Sequence, residues 1–323
     1  SVYADDNQTI TDKNSTIREI KNELKTRRRD KRFWRLFRNY RNSYPIAKFS
    51  QHFQLLKLGA AELPINESGR KPDVIFHKSW EMIAKQIVNL AWSNPGSTGV
   101  VFFGRNNDMA AFHRVISREC RELARPTPVI YKYGEDEKNL NFTKDGPISI
   151  VNVQSCKGLE FDNVIALNWD ATWGSMLSEE VIKQMYVVSS RARSSLLFMS
   201  VSNNEDLPSQ IGLLPHPDNK LATFKDLTDW KDQMENRLKR IDWSSSERDF
   251  DRQRAFAISK EIINDIEQTT CVLGEYLKNE RFPVNEADRL KQAAQSNDVD
   301  QLVSMIINIG PKIVDNLINQ TGD

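Results

Sequence analysis

Between Lys71 and Val201 short apolar runs alternate with longer segments whose apolar residues recur every three to four positions. "KPDVIFH", "GVVFFGRN" and "PTPVIYKYG" read as strands, the last with proline at its edge. "SWEMIAKQIVNLAW", stopped by "SNPGSTG", and "DMAAFHRVISRECRELA" read as the helices between them. "GPISIVNVQSCKGLEFDNVIALNW" holds two more strand-like runs around a polar turn. "VVSSRARSSL" reads as a strand running into Arg191 and Arg193, within a passage from helix to strand that has a further strand beyond it. Strands that alternate with helices of this length predict a parallel sheet covered on both faces, an α/β fold.

Outside this block the pattern changes. "SVYADDNQTI" reads as a short strand ending in an acidic turn, and "STIREIKNELK" as a helix with Ile17, Ile20 and Leu24 on one face and Ser15 as its cap. Between Lys21 and Arg41 about ten basic residues face two acidic ones, with Phe33, Trp34, Phe37 and Tyr40 interleaved. Such a run is either a phosphate-facing stripe or an amphipathic segment with its aromatics in the core and its arginines in water. A helix is expected between Tyr44 and Leu58. Around Asn203, "NNEDLPSQIGLLPHPDNKLATF" is rich in Pro, Asn and Asp and reads as a linker. Beyond it Ile258, Ile262, Ile266, Leu273 and Leu277 trace one helical stripe, and shorter helices are expected after Pro283 and Pro311.

Composition narrows the function classes. No apolar run approaches the roughly 18 residues of a membrane helix, and "SVYADDNQ" does not read as a secretory leader, being neither basic nor followed by an apolar stretch. The three cysteines and four histidines are scattered, without disulfide-framework or metal-ligand spacing. A reducing, cytoplasmic setting without a membrane partner is expected. The chain starts at Ser1, directly in a strand, as a fragment or processed chain would.

Four polar segments sit at ends of apolar runs: "ADDNQ" (4–8), "NYR" (39–41), "QSCKGLEFD" (154–162) and "SSRAR" (189–193). Ligands in parallel α/β sheets gather at the carboxyl ends of strands, and these segments are expected there. In their order and spacing they resemble superfamily 1 DNA helicases of the UvrD/Rep type over residues 1 to about 200. The resemblance implies a RecA-like (P-loop NTPase type) sheet domain with an all-helical C-terminal appendage. Residues 1–25 would end a first RecA-like domain, 26–203 would form the second, 204–230 a linker, and 231–323 the helical region.

It also implies roles. Gln8 would sense the γ-phosphate or position the attacking water. Arg41 and Arg191 would be arginine fingers, a task suited to a side chain that stays charged and offers a rigid fork of donors. Tyr40 would stack on adenine, Gly158 would let the backbone turn, and Glu160 would bond ribose or orient the triphosphate. Asp162 reads better as a turn residue, and Arg193 as a surface charge. Arg105, Asn152, Gln154 and Ser155 would touch the nucleic-acid backbone. The implied cofactors are ATP and Mg2+, the latter held by an upstream domain. The implied partners are single-stranded or partly duplex DNA, and a protein bound through the C-terminal helices.

The sequence departs from the family in several places. Gln154 stands where the family usually has histidine, and "TITDKNS" lacks the aromatic that often follows the glutamine. No G-x-x-x-x-G-K-[ST] occurs, and no Asp-Glu pair precedes "ADDNQ". The distance from "NYR" to "KGLEF" leaves no room for the family's large inserted subdomain. These departures keep open a non-unwinding ATPase that reports nucleic-acid engagement to a nuclease or toxin, and a structural module with a degenerate fold. "INIGPKIVDNL" faintly resembles a helix-hairpin-helix turn, but Asn308 stands where a second glycine belongs, so a plain helix start at Pro311 is the better reading.

Overall fold

The computed structural model describes residues 38–55, 62–94, 96–131, 148–170, 178–202, 207–226, 231–255 and 257. By contacts the chain divides into two units, Ser1–Ser246 and Glu247–Asp323. The first opens with helix α1 (Tyr44–Gln51), strand β1 (Asp73–His77), α2 (Trp80–Ser93), β2 (Thr98–Phe102) and α3 (Asn106–Glu122). Then come β3 (Val129–Tyr131), β4 (Ser149–Asn152), β5 (Phe161–Leu167), α4 (Glu179–Ser189), β6 (Ala192–Val201), β7 (Thr223–Asp226) and α5 (Lys231–Lys239). The chain is helical again over 243–255. Of the second unit, only its first residues are described.

The seven strands form one sheet in the order β3-β4-β2-β5-β6-β1-β7, and every pair is parallel. The α/β expectation holds. β1 and β2 are buried along their whole length, as strands covered on both faces are. On one face Ile83, Ile87 and Val88 of α2 and Met109, Phe112 and Ile116 of α3 pack on Ile75, Val100, Ile150, Ile165 and Leu197. On the other face α1 lies over β6, with the Phe49 and Phe198 rings 5.4 Å apart, and Gln54 just beyond α1 donates to the Tyr186 hydroxyl of α4 at 3.2 Å. Ser79 caps α2 and Ser178 caps α4, each accepting a backbone N–H three residues on.

Two expectations are corrected. Met185–Val188 is not a strand: it lies in α4, and the chain turns through Ser190 and Arg191 before β6 begins. Its apolar residues belong to a helix because Ile182, Met185 and Val188 recur at helical spacing and all three are buried. Of the stretch read as a linker, 204–230, the described part, 207–226, belongs to the sheet domain. Leu207, Ile211, Leu213 and Leu214 are buried, and β7 pairs with β1 from Asp73↔Thr223 onward. The bulky apolar residues among the prolines carry that segment into the core. Gln8, the tail of the proposed first domain, the basic and aromatic run up to Phe37, and the stripe from Ile258 onward lie outside the described residues.

Candidate functional site

The predicted residues fall into two groups at opposite ends of the sheet. Arg41, Glu160, Arg191 and Arg193 gather at the amino ends of β5 and β6, not at the carboxyl ends expected of them. The reason is the path of "NVQSCKGLE". This segment leaves the carboxyl end of β4 at Asn152 and enters β5 at its amino end, so its two halves sit at different ends of the sheet.

Glu160 is the hub of the amino-end group. Its Oε1 lies 2.5 Å from Nε of Arg41, and its Oε2 accepts from Arg193 at 2.8 Å and 3.3 Å. Partial burial pushes its carboxyl pKa up. The Arg193 hydrogen bond and the charges of Arg41, Arg193 and Arg191 outweigh this and hold it below its ordinary value. Glu160 raises the Arg193 pKa in return.

Arg191 lies behind this pair and is 2% exposed. Its Nε donates to the Val187 carbonyl at 3.0 Å, one terminal nitrogen to Ser190 Oγ at 3.0 Å, and the other reaches the Leu159 carbonyl at 3.5 Å. Burial lowers its pKa, yet a guanidinium keeps its charge. The neighbouring Cys156 thiol is pushed up to about 12 by its own burial, which keeps it a neutral thiol. The exposed cations of this group are Arg41 and Arg193, 39% and 52% accessible, and Arg193 is a surface charge paired with Glu160.

Asn42 holds the "NYR" element in place, and the sequence reading missed it. Its Nδ2 donates to the carbonyls of Ser190 and Ala192, at 3.0 Å and 2.5 Å. The Asn39 side chain accepts from the backbone N–H groups of Arg41 and Asn42, and the Ser43 N–H donates to the Arg193 carbonyl. The only hint in the sequence was a polar residue directly after "NYR". Tyr40 projects into solvent, 80% exposed, beside Arg41. Gly158 has φ +88°, a left-handed backbone where a side chain would meet no neighbour, so the sign of φ and not space requires glycine. Asp162 accepts from the Ser97 N–H and hydroxyl and ties the amino ends of β2 and β5, as a turn residue does.

The second group lies at the carboxyl ends of β2 and β4. Gly104, at φ +122°, leads to Arg105 at the start of α3, and both Arg105 and Gln154 are exposed. Asn152 donates to Asn106 at 3.3 Å and accepts from the Ser155 N–H at 2.7 Å. Ser155 itself is buried, which corrects its reading as a nucleic-acid contact: its hydroxyl faces the interior.

Among the described residues no group of three or more His, Cys, Asp or Glu could hold a metal ion. No described helix is long and apolar enough to cross a membrane.

No family model and no curated protein matches the chain. Among solved structures it is similar to the C-terminal domain of a possible DNA helicase from Lactobacillus plantarum WCFS1. That match has 19% identity and a TM-score of 0.40, and covers 58% of this chain and 98% of the other. It is also similar to the C-terminal domain of the DEAD-box protein Dbp5, at 11% identity and a TM-score of 0.34, covering 55% and 100%. A third is Mss116p DEAD-box helicase domain 2 bound to an RNA duplex, at 8% identity and a TM-score of 0.33, covering 71% and 88%. At these scores the likeness carries no functional inference for this chain.

Proposed function

We propose that this chain is the arginine-supplying half of an ATP-driven nucleic-acid motor of the superfamily 1 type, with a RecA-like sheet domain. The observation that carries the reading is the gathering of three guanidiniums, Arg41, Arg191 and Arg193, around the single bridging carboxylate of Glu160. Such a cluster fits a triphosphate, whose charge exceeds what one carboxylate can offer. When bound, ATP would supply the phosphoanhydride bond whose oxygens gain charge as it breaks.

Each residue then has a task. Arg41 leaves Glu160 to meet a phosphate oxygen, at little desolvation cost because it is already at the surface. Arg191 adds positive potential from the low-dielectric interior, where a fixed charge acts strongly. Glu160 holds the exposed arginines in place until phosphate replaces it, and Tyr40 offers its free ring face to a base. Mg2+ and the phosphate-cradling loop would come from a domain outside this sequence, which holds no phosphate-loop motif. Arg105, Asn152 and Gln154 would contact the nucleic-acid backbone at the opposite, carboxyl end of the sheet.

Two measurements test this. The isolated chain should bind ATP no better than millimolar by calorimetry, because it holds half a site; micromolar binding contradicts the reading. In an assembly that carries a phosphate loop, Arg41→Ala, which removes the exposed guanidinium that meets the phosphate, should cut turnover by about a thousandfold, the loss typical of an arginine finger. Near-normal hydrolysis by a folded variant overturns the assignment.

A further inference from the structure

Helix α3 carries an arginine face that the proposed site does not use. Arg114, Arg118 and Arg121 are all exposed. At about 100° per residue they fall within an arc of about 60° and span about 10 Å along the axis. Past the helix end the chain turns through Ala124, and Arg125 follows with its guanidinium 5.0 Å above the Trp92 ring. The acidic residues nearby offset this face only in part. Glu81 reaches Arg118 at 3.7 Å with both side chains more than half exposed, a weak pair; Glu119 falls well off the arc, and exposed Glu122, one turn past Arg118, flanks one side of it. In a chain of 45 basic and 44 acidic residues, this is a local concentration of positive charge.

The face also has a direction. Toward the amino end of α3 the arc continues over Asn107, with Ala110 and Ala111 on its flanks. Asn106, the next residue, lies about 60° off the arc and is hydrogen-bonded to Asn152. The arc thus ends beside the carboxyl-end group.

We propose that this face of α3 is a second track for the phosphate backbone of nucleic acid, beside the Arg105–Asn152 group at the carboxyl end of the sheet. The proposal rests on the reading of that group as a nucleic-acid surface. Arginines spaced by helical turns match a row of phosphates, and an outer helix face with no groove-entering loop reads no bases. The track adds affinity and salt dependence without sequence preference.

The test uses the full chain and a fluorescein-labelled DNA duplex of random sequence, followed by anisotropy over a range of salt. R118Q/R121Q should weaken binding about tenfold at fixed salt. It should also lower the slope of log K against log salt by about two, since each lost phosphate contact removes about 0.9. Its thermal melt should match the parent's. If it folds poorly, R114Q/R121Q leaves the Arg118–Glu81 pair intact and is read in the same way. Unchanged affinity and slope in the arginine variant, with binding lost in R105Q/N152A, overturns the track and leaves the reading of the Arg105–Asn152 group standing. Failure of the parent chain to bind DNA at low salt overturns both. Unchanged DNA binding with weakened binding to phosphatidylserine vesicles or polyglutamate assigns the face to another polyanion and overturns the proposal.

Discussion

Arg191 takes a full charge into the interior and satisfies it with the Val187 carbonyl, the Ser190 hydroxyl and a longer bond to the Leu159 carbonyl. Arg191→Ala would remove these donors, leaving the Val187 carbonyl only its bond from the Ser190 hydroxyl, and open a void. We expect it to lower the unfolding free energy by about 3 kcal/mol in urea titrations; a loss under about 1 kcal/mol contradicts the packing described. Asp170 presents the opposite problem. Burial raises its pKa, and the hydrogen bond from Ser200 only partly offsets this. A carboxyl with a raised folded pKa contributes stability that is fully present below its unfolded pKa of about 4 and is lost as pH rises through the folded value. Asp170→Asn should therefore melt above the parent at pH 7, with the gap closing toward pH 4. An equal gap at both pH values in calorimetry would show that the carboxyl charge is not the cause.

At the scale of elements, α3 ends in a paired turn. The Ala124 N–H donates to the Arg121 carbonyl and the Arg125 N–H to the Cys120 carbonyl, with Ala124 at φ +50°. This is the position where glycine is favoured, because a Cβ strains the left-handed backbone. Ala124→Gly should raise stability by about 0.5 kcal/mol, the relief of strain exceeding the extra unfolded-state entropy. A lower melting temperature would contradict this. Strand β7 is fastened by a different device: buried Asp73 on β1 pairs with Lys225 on β7 at 2.8 Å and with Arg70 at 2.5 Å. Asp73→Asn removes the carboxylate that pairs with both cations. It should loosen the β1–β7 edge first, seen as faster amide hydrogen exchange at Thr223–Asp226 than at β5. Uniform exchange across the sheet would refute a local role.

At the scale of the whole molecule, the boundary of the sheet domain is testable. A chain ended after Asn203 loses β7 and the buried Ile211 and Leu214, and bares the β1 edge. It should aggregate or lose its cooperative thermal transition. A chain ended after Ser246 keeps the whole first unit and should melt cooperatively. Equal behaviour of the two truncations would mean that β7 contributes little.

The sequence alone was enough for the α/β class, because fully buried parallel strands and one-faced helices have different periods, and both periods are visible between Lys71 and Val201. It also marked Arg41, Glu160 and Arg191, whose charge beside apolar runs needed a reason. It misled where local pattern is ambiguous. A short apolar run before "SSRAR" suits a strand or a helix end, and a segment rich in Pro and Asn can still bring Ile211 and Leu214 into a core. Tertiary structure decided the rest. Which end of a strand a polar residue occupies depends on the crossover that precedes it, and so Glu160 and Asn152, eight residues apart, serve opposite ends of the sheet. Burial of Arg191, exposure of Arg193 and the anchoring of "NYR" by Asn42 all arise from residues about 150 positions apart meeting at one place, which no local period records.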